Sequence, residues 1–223
     1  MVGEIRWTKY LWMSLLSFGA FMLEYLSIFV IEFIFLHVDI WNYTPYQRSV
    51  HCIIMAFMWT IFIGIILYLS RKHYRFPSRE NKENTISLKN WIVTFVCFIG
   101  CKIITFVDWH TLKVIGEARG KDVFQFCSQY LYYIFEVMLV TLIIIYGQKA
   151  FETLLKKESS IPFGGIILAA TWGLFHFVSR GVGLEIWNGI STIIFSILCG
   201  VMYLRLNRRY LYSYFFIAMG YLL

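Results

Sequence analysis

Charge is scarce in this sequence. Asp, Glu, Lys and Arg make up 15% of its 223 residues, where hydrophobic residues make up 59% and aromatics 20%. A soluble domain carries roughly 25% charge, so a water-soluble class is excluded. The five cysteines (Cys52, Cys97, Cys101, Cys127, Cys199) contain no CxxC pair and all fall in apolar segments. That excludes a disulfide framework and favours buried free thiols. His176 has no carboxylate or thiol at ligand spacing, so no metal is expected, and no pattern asks for a cofactor. No small-residue cleavage site closes the first apolar run, which therefore reads as a retained helix rather than a signal peptide. The net charge of +7 comes from basic residues at the ends of apolar segments. Such placement is a topology signal and excludes a nucleic-acid patch.

Apolar length is what the chain has in abundance. Segments at about 11–37, 50–70, 90–107, 123–146, 161–180, 186–204 and 210–223 read as membrane helices. The last is shorter than the roughly 17 residues that a comfortable crossing needs. The predicted fold is all-α: a polytopic membrane protein of about seven transmembrane helices. Residues 1–223 form a single integral membrane domain, with three helices in 1–122 and four in 123–223. Between the helices lie a polar loop at 71–89 carrying Pro77, a mixed-sign loop at 108–122 and a basic, amphipathic link at 147–160.

Basic residues give the orientation. One side collects Arg6, Lys9, the loop group from Arg71 to Lys89, then Lys149, Lys156, Lys157, Arg205, Arg208 and Arg209. The other side keeps Arg48, Lys113, Arg119, Lys121 and Arg180, with Lys102 inside the membrane. The positive-inside rule then puts the N-terminus in the cytoplasm.

Candidate functional residues are the ionisable groups at membrane depth, which are costly there unless they face protein. In IPFGGIILAATWGLFHFVSR, residues Gly165, Ala169, Trp172, Gly173, His176 and Arg180 share one helix face, a face that must turn inward. Glu136 falls near mid-membrane on the preceding helix, at a depth where it can approach His176 directly or through water. Gln129, Tyr132 and Tyr133 share the Glu136 face. A carboxylate and an imidazole in a desolvated pocket are the ingredients of general-base activation of water. Glu136 and His176 are thus the candidate catalytic pair. Candidate binding residues are Trp172, Arg180, Gln129, Tyr133, Asn188 and Lys102. The plainer alternative has Glu136 neutralising Lys102, His176 donating to a backbone carbonyl, and Lys102 paired with Glu24 or Glu32. A small transporter built on Glu24, Lys102 and Glu136 has no inverted repeat or broken helix pair to support it.

At these residues the chain resembles a known family. The run ILAATWGLFHF is similar to the FxxxH motif of the CAAX-protease and bacteriocin-processing (CPBP) intramembrane proteases, with Trp172 in the Phe position. The closing stretch STIIFSILCGVMYLRLNRRYLYSYFFIAMGYLL resembles that family's glycine-bearing helix, polar turn and last helix. The resemblance spans Phe124 to Leu223 and implies a four-helix CPBP-like core. Against the family's EExxxR motif, FEVMLVT offers one acid, Glu136, and no arginine. A rival alignment on GQKAFETLL puts Gly147 and Gln148 at the acid pair, and 210–223 lacks the family's second histidine. Two readings follow from the resemblance. One is a glutamate-type endopeptidase processing lipidated or exported peptides. The other is a pseudo-protease, a non-catalytic scaffold holding a membrane-protein partner or peptide in the same groove. Membrane lipids are the expected surroundings, nucleic acid is not a partner, and the expected location is the bacterial plasma membrane.

Overall fold

The computed structural model describes residues 6–74, 85–179 and 183–223; Pro77 and Arg180 lie outside them. The described residues form helices and no strand. In chain order these are α1 (Trp7–Phe35), α2 (Pro45–Tyr74), α3 (Leu88–Trp109), α4 (Lys113–Ala118), α5 (Val123–Leu155), α6 (Phe163–Gly173), α7 (Ile186–Arg205) and α8 (Tyr210–Leu222). Among the described residues five segments are long and apolar enough to cross a membrane: α1, α2, α3 continuing into α4, α5 and α7. The chain is compatible with an integral membrane protein.

The bundle is built around α5. Its start is fixed by a capping box, in which the Gln125 amide donates to Asp122 Oδ1 at 2.8 Å and the Asp122 amide to Gln125 Oε1 at 3.4 Å. From Leu139 to Gln148 every residue is buried, the mark of a helix covered on all sides. It contacts α1, α2, α6 and α8, while α3 packs on α7 and α8. Large apolar side chains instead point outward from the peripheral helices, among them Phe35, Phe57 and Val96. Water would penalise such a surface, whereas hydrocarbon accepts it.

Side-chain contacts set the register of the two ends. At one end Lys9 Nζ lies 5.6 Å from the Tyr74 ring, Asn90 meets Asn207, and Arg208 Nη2 donates to Glu152 Oε1 at 2.7 Å. At the other end Trp187 bonds to Asp108, and Tyr130 donates to the Leu222 carbonyl at 2.8 Å. Thus α8 runs antiparallel to α5, with Arg208, just before its start, reaching towards Glu152 and Leu222, at its end, meeting Tyr130.

Several boundaries differ from the sequence expectation, and α2 for one runs from Pro45 to Tyr74 rather than over 50–70. The link after Tyr146 continues α5 to Leu155, because Gly147 is buried against Ile167 and Gly164 and so does not end the helix. The expected helix over 161–180 is regular α-helix only to Leu168, beginning under a 3.0 Å bond from the Gly164 amide to Gln148 Oε1. Its last turn widens into a π-turn at Ala169–Gly173, and residues 176–179 form a turn. The mixed-sign loop contains α4, which is buried at Lys113 and Glu117. Close backbone approach holds α6 in place: a Cβ on Gly164 would stand 2.1 Å from the Ile144 carbonyl oxygen, and one on Gly200 2.6 Å from Gly165 Cα. Four cysteines are buried, whereas Cys127 is exposed rather than buried.

Candidate functional site

Among the described residues, two cavities open in the half of the bundle that holds Asp108 and Tyr130. The larger, about 380 Å³, is lined by α1 (Glu24, Ile28), Tyr43, α2 (Arg48, His51, Cys52), α5 (Gln129, Tyr132, Tyr133, Glu136) and α8 (Tyr221). The smaller, about 190 Å³, has Asp108, Lys113, Trp172, His176, Asn188, Ser191 and Thr192 in its wall. Tyr133 and Tyr221 line both cavities.

Local irregularity in α1 positions the acids of the larger chamber. The Trp59 indole N–H donates to the Ala20 carbonyl at 2.9 Å, where α1 tightens into a 3-10 turn at Ala20–Met22. Insertion of a side-chain donor into the helical ladder is an identifiable cause of such a break. Beyond it Ser27–Phe35 is π-helical, and Ser27 Oγ donates to Glu32 at 2.6 Å. His51 meets a carboxylate at each ring nitrogen, Glu32 at 2.7 Å from Nδ1 and Glu24 at 3.4 Å from Nε2. Tyr132 donates to the other Glu24 oxygen at 3.2 Å, and Tyr43 donates to Glu32. Burial, reinforced by that bond to Glu32, raises the Tyr43 pKa above the ordinary phenol value, so Tyr43 remains a donor.

A second chain of contacts runs across the wall between the cavities. Tyr133 and Lys121 both bond to Glu117. Lys113 Nζ sits 4.0 Å from the Tyr133 ring centroid and 3.5 Å from that of Tyr221, with Glu136 and Glu117 as its nearby counter-charges. Tyr221 in turn donates to Glu136 at 2.9 Å.

The structure brings Gln129, Tyr132, Tyr133 and Glu136 to the larger chamber. His176, Trp172 and Asn188 lie on the smaller one. His176 Nδ1 donates to the Trp172 carbonyl at 2.7 Å, and Asn188 Nδ2 donates to the His176 carbonyl at 2.9 Å. From Glu136 the contacts reach His176 through Tyr221 and Trp172, whose rings lie 6.2 Å apart; the Trp172 and His176 rings are 4.3 Å apart. Lys102 lines neither cavity, and its Nζ is buried without a hydrogen-bond partner. The expected pairing of Lys102 with Glu24 or Glu32 is replaced by the His51 contacts of both acids. Gln148, at the rival acid-pair position, is structural: Nε2 donates to the Ile161 carbonyl at 3.2 Å and to Glu152 at 2.9 Å.

Residues that sequence reasoning passed over are His51, Lys113, Glu117 and Tyr221. His51 carried a readable signal, being an ionisable group inside an apolar segment. Among the described residues no three His, Cys, Asp or Glu side chains are grouped to hold a metal ion. Compared with protein-family models, with curated proteins and with solved structures, the chain matches none.

Proposed function

We propose that this chain is a CPBP-like pseudo-protease of the bacterial plasma membrane. In this reading it holds a polar group of a membrane-borne partner, a lipidated or exported peptide or a membrane protein, in the chamber around Glu136. One observation carries the non-catalytic reading: Glu136 and His176 line different cavities, with Tyr221 and Trp172 in the path between them. A general base must come within hydrogen-bond reach of the proton it removes, and here each of the two groups serves its own cavity. Seven crossings from a cytoplasmic N-terminus are supported by the antiparallel run of α8 along α5 and by the basic residues gathered at the Glu152 end.

The test is purification in mild detergent. A partner should co-purify uncleaved and remain bound to Glu136→Gln and His176→Ala variants; a lone protein in every preparation would count against this reading. A phosphatase fused after Leu223 should be active outside the cell, and an inactive fusion would remove the seven-crossing topology.

The endopeptidase reading keeps one specific support. Tyr133 and Tyr221 line both cavities, so a rotation of Tyr221 would bring Glu136 towards the His176 side. In that case both variants lose peptide processing while expression is retained.

A further inference from the structure

The larger chamber has a chemical bias that its tyrosines create. Each of the four phenols lining it gives its single proton to a glutamate: Tyr43 to Glu32, Tyr132 to Glu24, Tyr133 to Glu117 and Tyr221 to Glu136. A phenol committed in this way can offer an occupant only lone pairs. The two carboxylates in the wall, Glu24 and Glu136, are likewise acceptors when ionised. The His51 ring nitrogens are both engaged by Glu24 and Glu32. Gln129 supplies an amide, and the cationic Arg48 stands in the wall as an exposed residue. Apart from Gln129 and Arg48, therefore, the phenol and carboxylate groups of the wall offer oxygen acceptors and no uncommitted donor.

We propose that the chamber is a binding site for a primary ammonium group. Its N–H bonds would go to the phenol and carboxylate oxygens, and its charge would lie against the tyrosine rings, the recognised home of organic cations. The protein already houses one ammonium in this manner, since Lys113 lies against the Tyr133 and Tyr221 rings on the side of the smaller cavity. A volume of about 380 Å³ accommodates a short alkylammonium or the ethanolamine headgroup of a phospholipid. Glu24 keeps 35% of its side chain accessible, so its carboxylate is not sealed from an occupant. This inference rests on the chamber being a binding site, and it names the chemistry of the group bound.

Equilibrium dialysis of the full chain in mild detergent against radiolabelled n-propylammonium tests it. Binding should saturate, weaken about tenfold or more in Glu24→Gln and in Glu136→Gln, and stay unchanged in Thr60→Ala, which alters an exposed position on α2. Tetramethylammonium, which has no N–H, should compete at least about tenfold more weakly than ethanolamine. In nanodiscs, phosphatidylethanolamine should depress propylammonium binding relative to phosphatidylcholine if a lipid headgroup is the source; equal binding assigns the site to a soluble amine. Absence of saturable binding, equal competition by tetramethylammonium, or undiminished binding in both carboxylate variants would overturn the proposal. If those failures occur while a partner still co-purifies, the ammonium assignment falls and the reading of the chamber as a binding site stands.

Discussion

Replacing Lys113 with methionine tests the wall between the two cavities. The side chain is buried, and its ammonium has two aromatic rings at 3.5 and 4.0 Å and two acids as counter-charges. A desolvated cation–π contact is worth about 2 kcal/mol, and Lys113 makes two of them, with Glu136 and Glu117 as neighbouring acids rather than as ion-pair partners. Glu117 keeps Lys121 and Tyr133, so the group left short of a counter-charge is Glu136, which retains the Tyr221 hydroxyl and the Trp172 indole as hydrogen-bond donors. The two ring contacts overlap, and the expected total loss is about 2–4 kcal/mol. Methionine nearly fills the volume of the lysine stem, which keeps a cavity term small. The decisive measurement is a double-mutant cycle with Glu136→Gln, read by reversible unfolding in mixed detergent micelles and extrapolated to zero denaturant. If Lys113 holds the Glu136 charge, the second substitution should restore about 1–3 kcal/mol. Losses that simply add, within about 0.5 kcal/mol, would refute the coupling. They would leave Lys113 as a packing residue of α4.

Other predictions concern the frame that holds the site. Gly164→Ala should cost about 3 kcal/mol or more, since its Cβ would fall 2.1 Å from a backbone oxygen that α5 cannot withdraw. Gly64→Ala, with nothing within 4 Å, should be neutral or gain up to about 1 kcal/mol from helix propensity; thermal unfolding of the pair compares them directly. Arg208→Met should destabilise by about 3 kcal/mol by leaving Glu152 without its 2.7 Å partner. Arg208→Lys should recover only part of that loss in the same assay, because one ammonium cannot reproduce the Nε and Nη2 donors that both reach Glu152. Trp59→Phe should cost about 1–3 kcal/mol by removing the donor to Ala20, and a value below about 0.5 kcal/mol would show that the indole does not hold the α1 break.

What the sequence makes legible follows from the range of the interactions. Helical residues three and four apart share a face, so the gathering of Gln129, Tyr132, Tyr133 and Glu136 is readable from α5 alone. Hydropathy likewise marks the long apolar helices, because the penalty of unpaired backbone in hydrocarbon acts on each segment separately. The partners of that face are another matter. His51 lies 19 and 27 residues from Glu32 and Glu24, and Tyr221 lies 85 residues from Glu136. No spacing rule reaches that far. Lys113 and Glu117 looked like loop residues because a six-residue helix carries too little periodicity to reveal a buried side. The end of regular helix before His176 is equally hidden, since the apolar run continues past it. Apolar runs thus disclose which segments lie in the membrane, while the polar groups that make the chamber are joined by long-range hydrogen bonds. Those bonds give the chamber its excess of acceptors, and the role of His176 has to be sought on the other side of Trp172 and Tyr221.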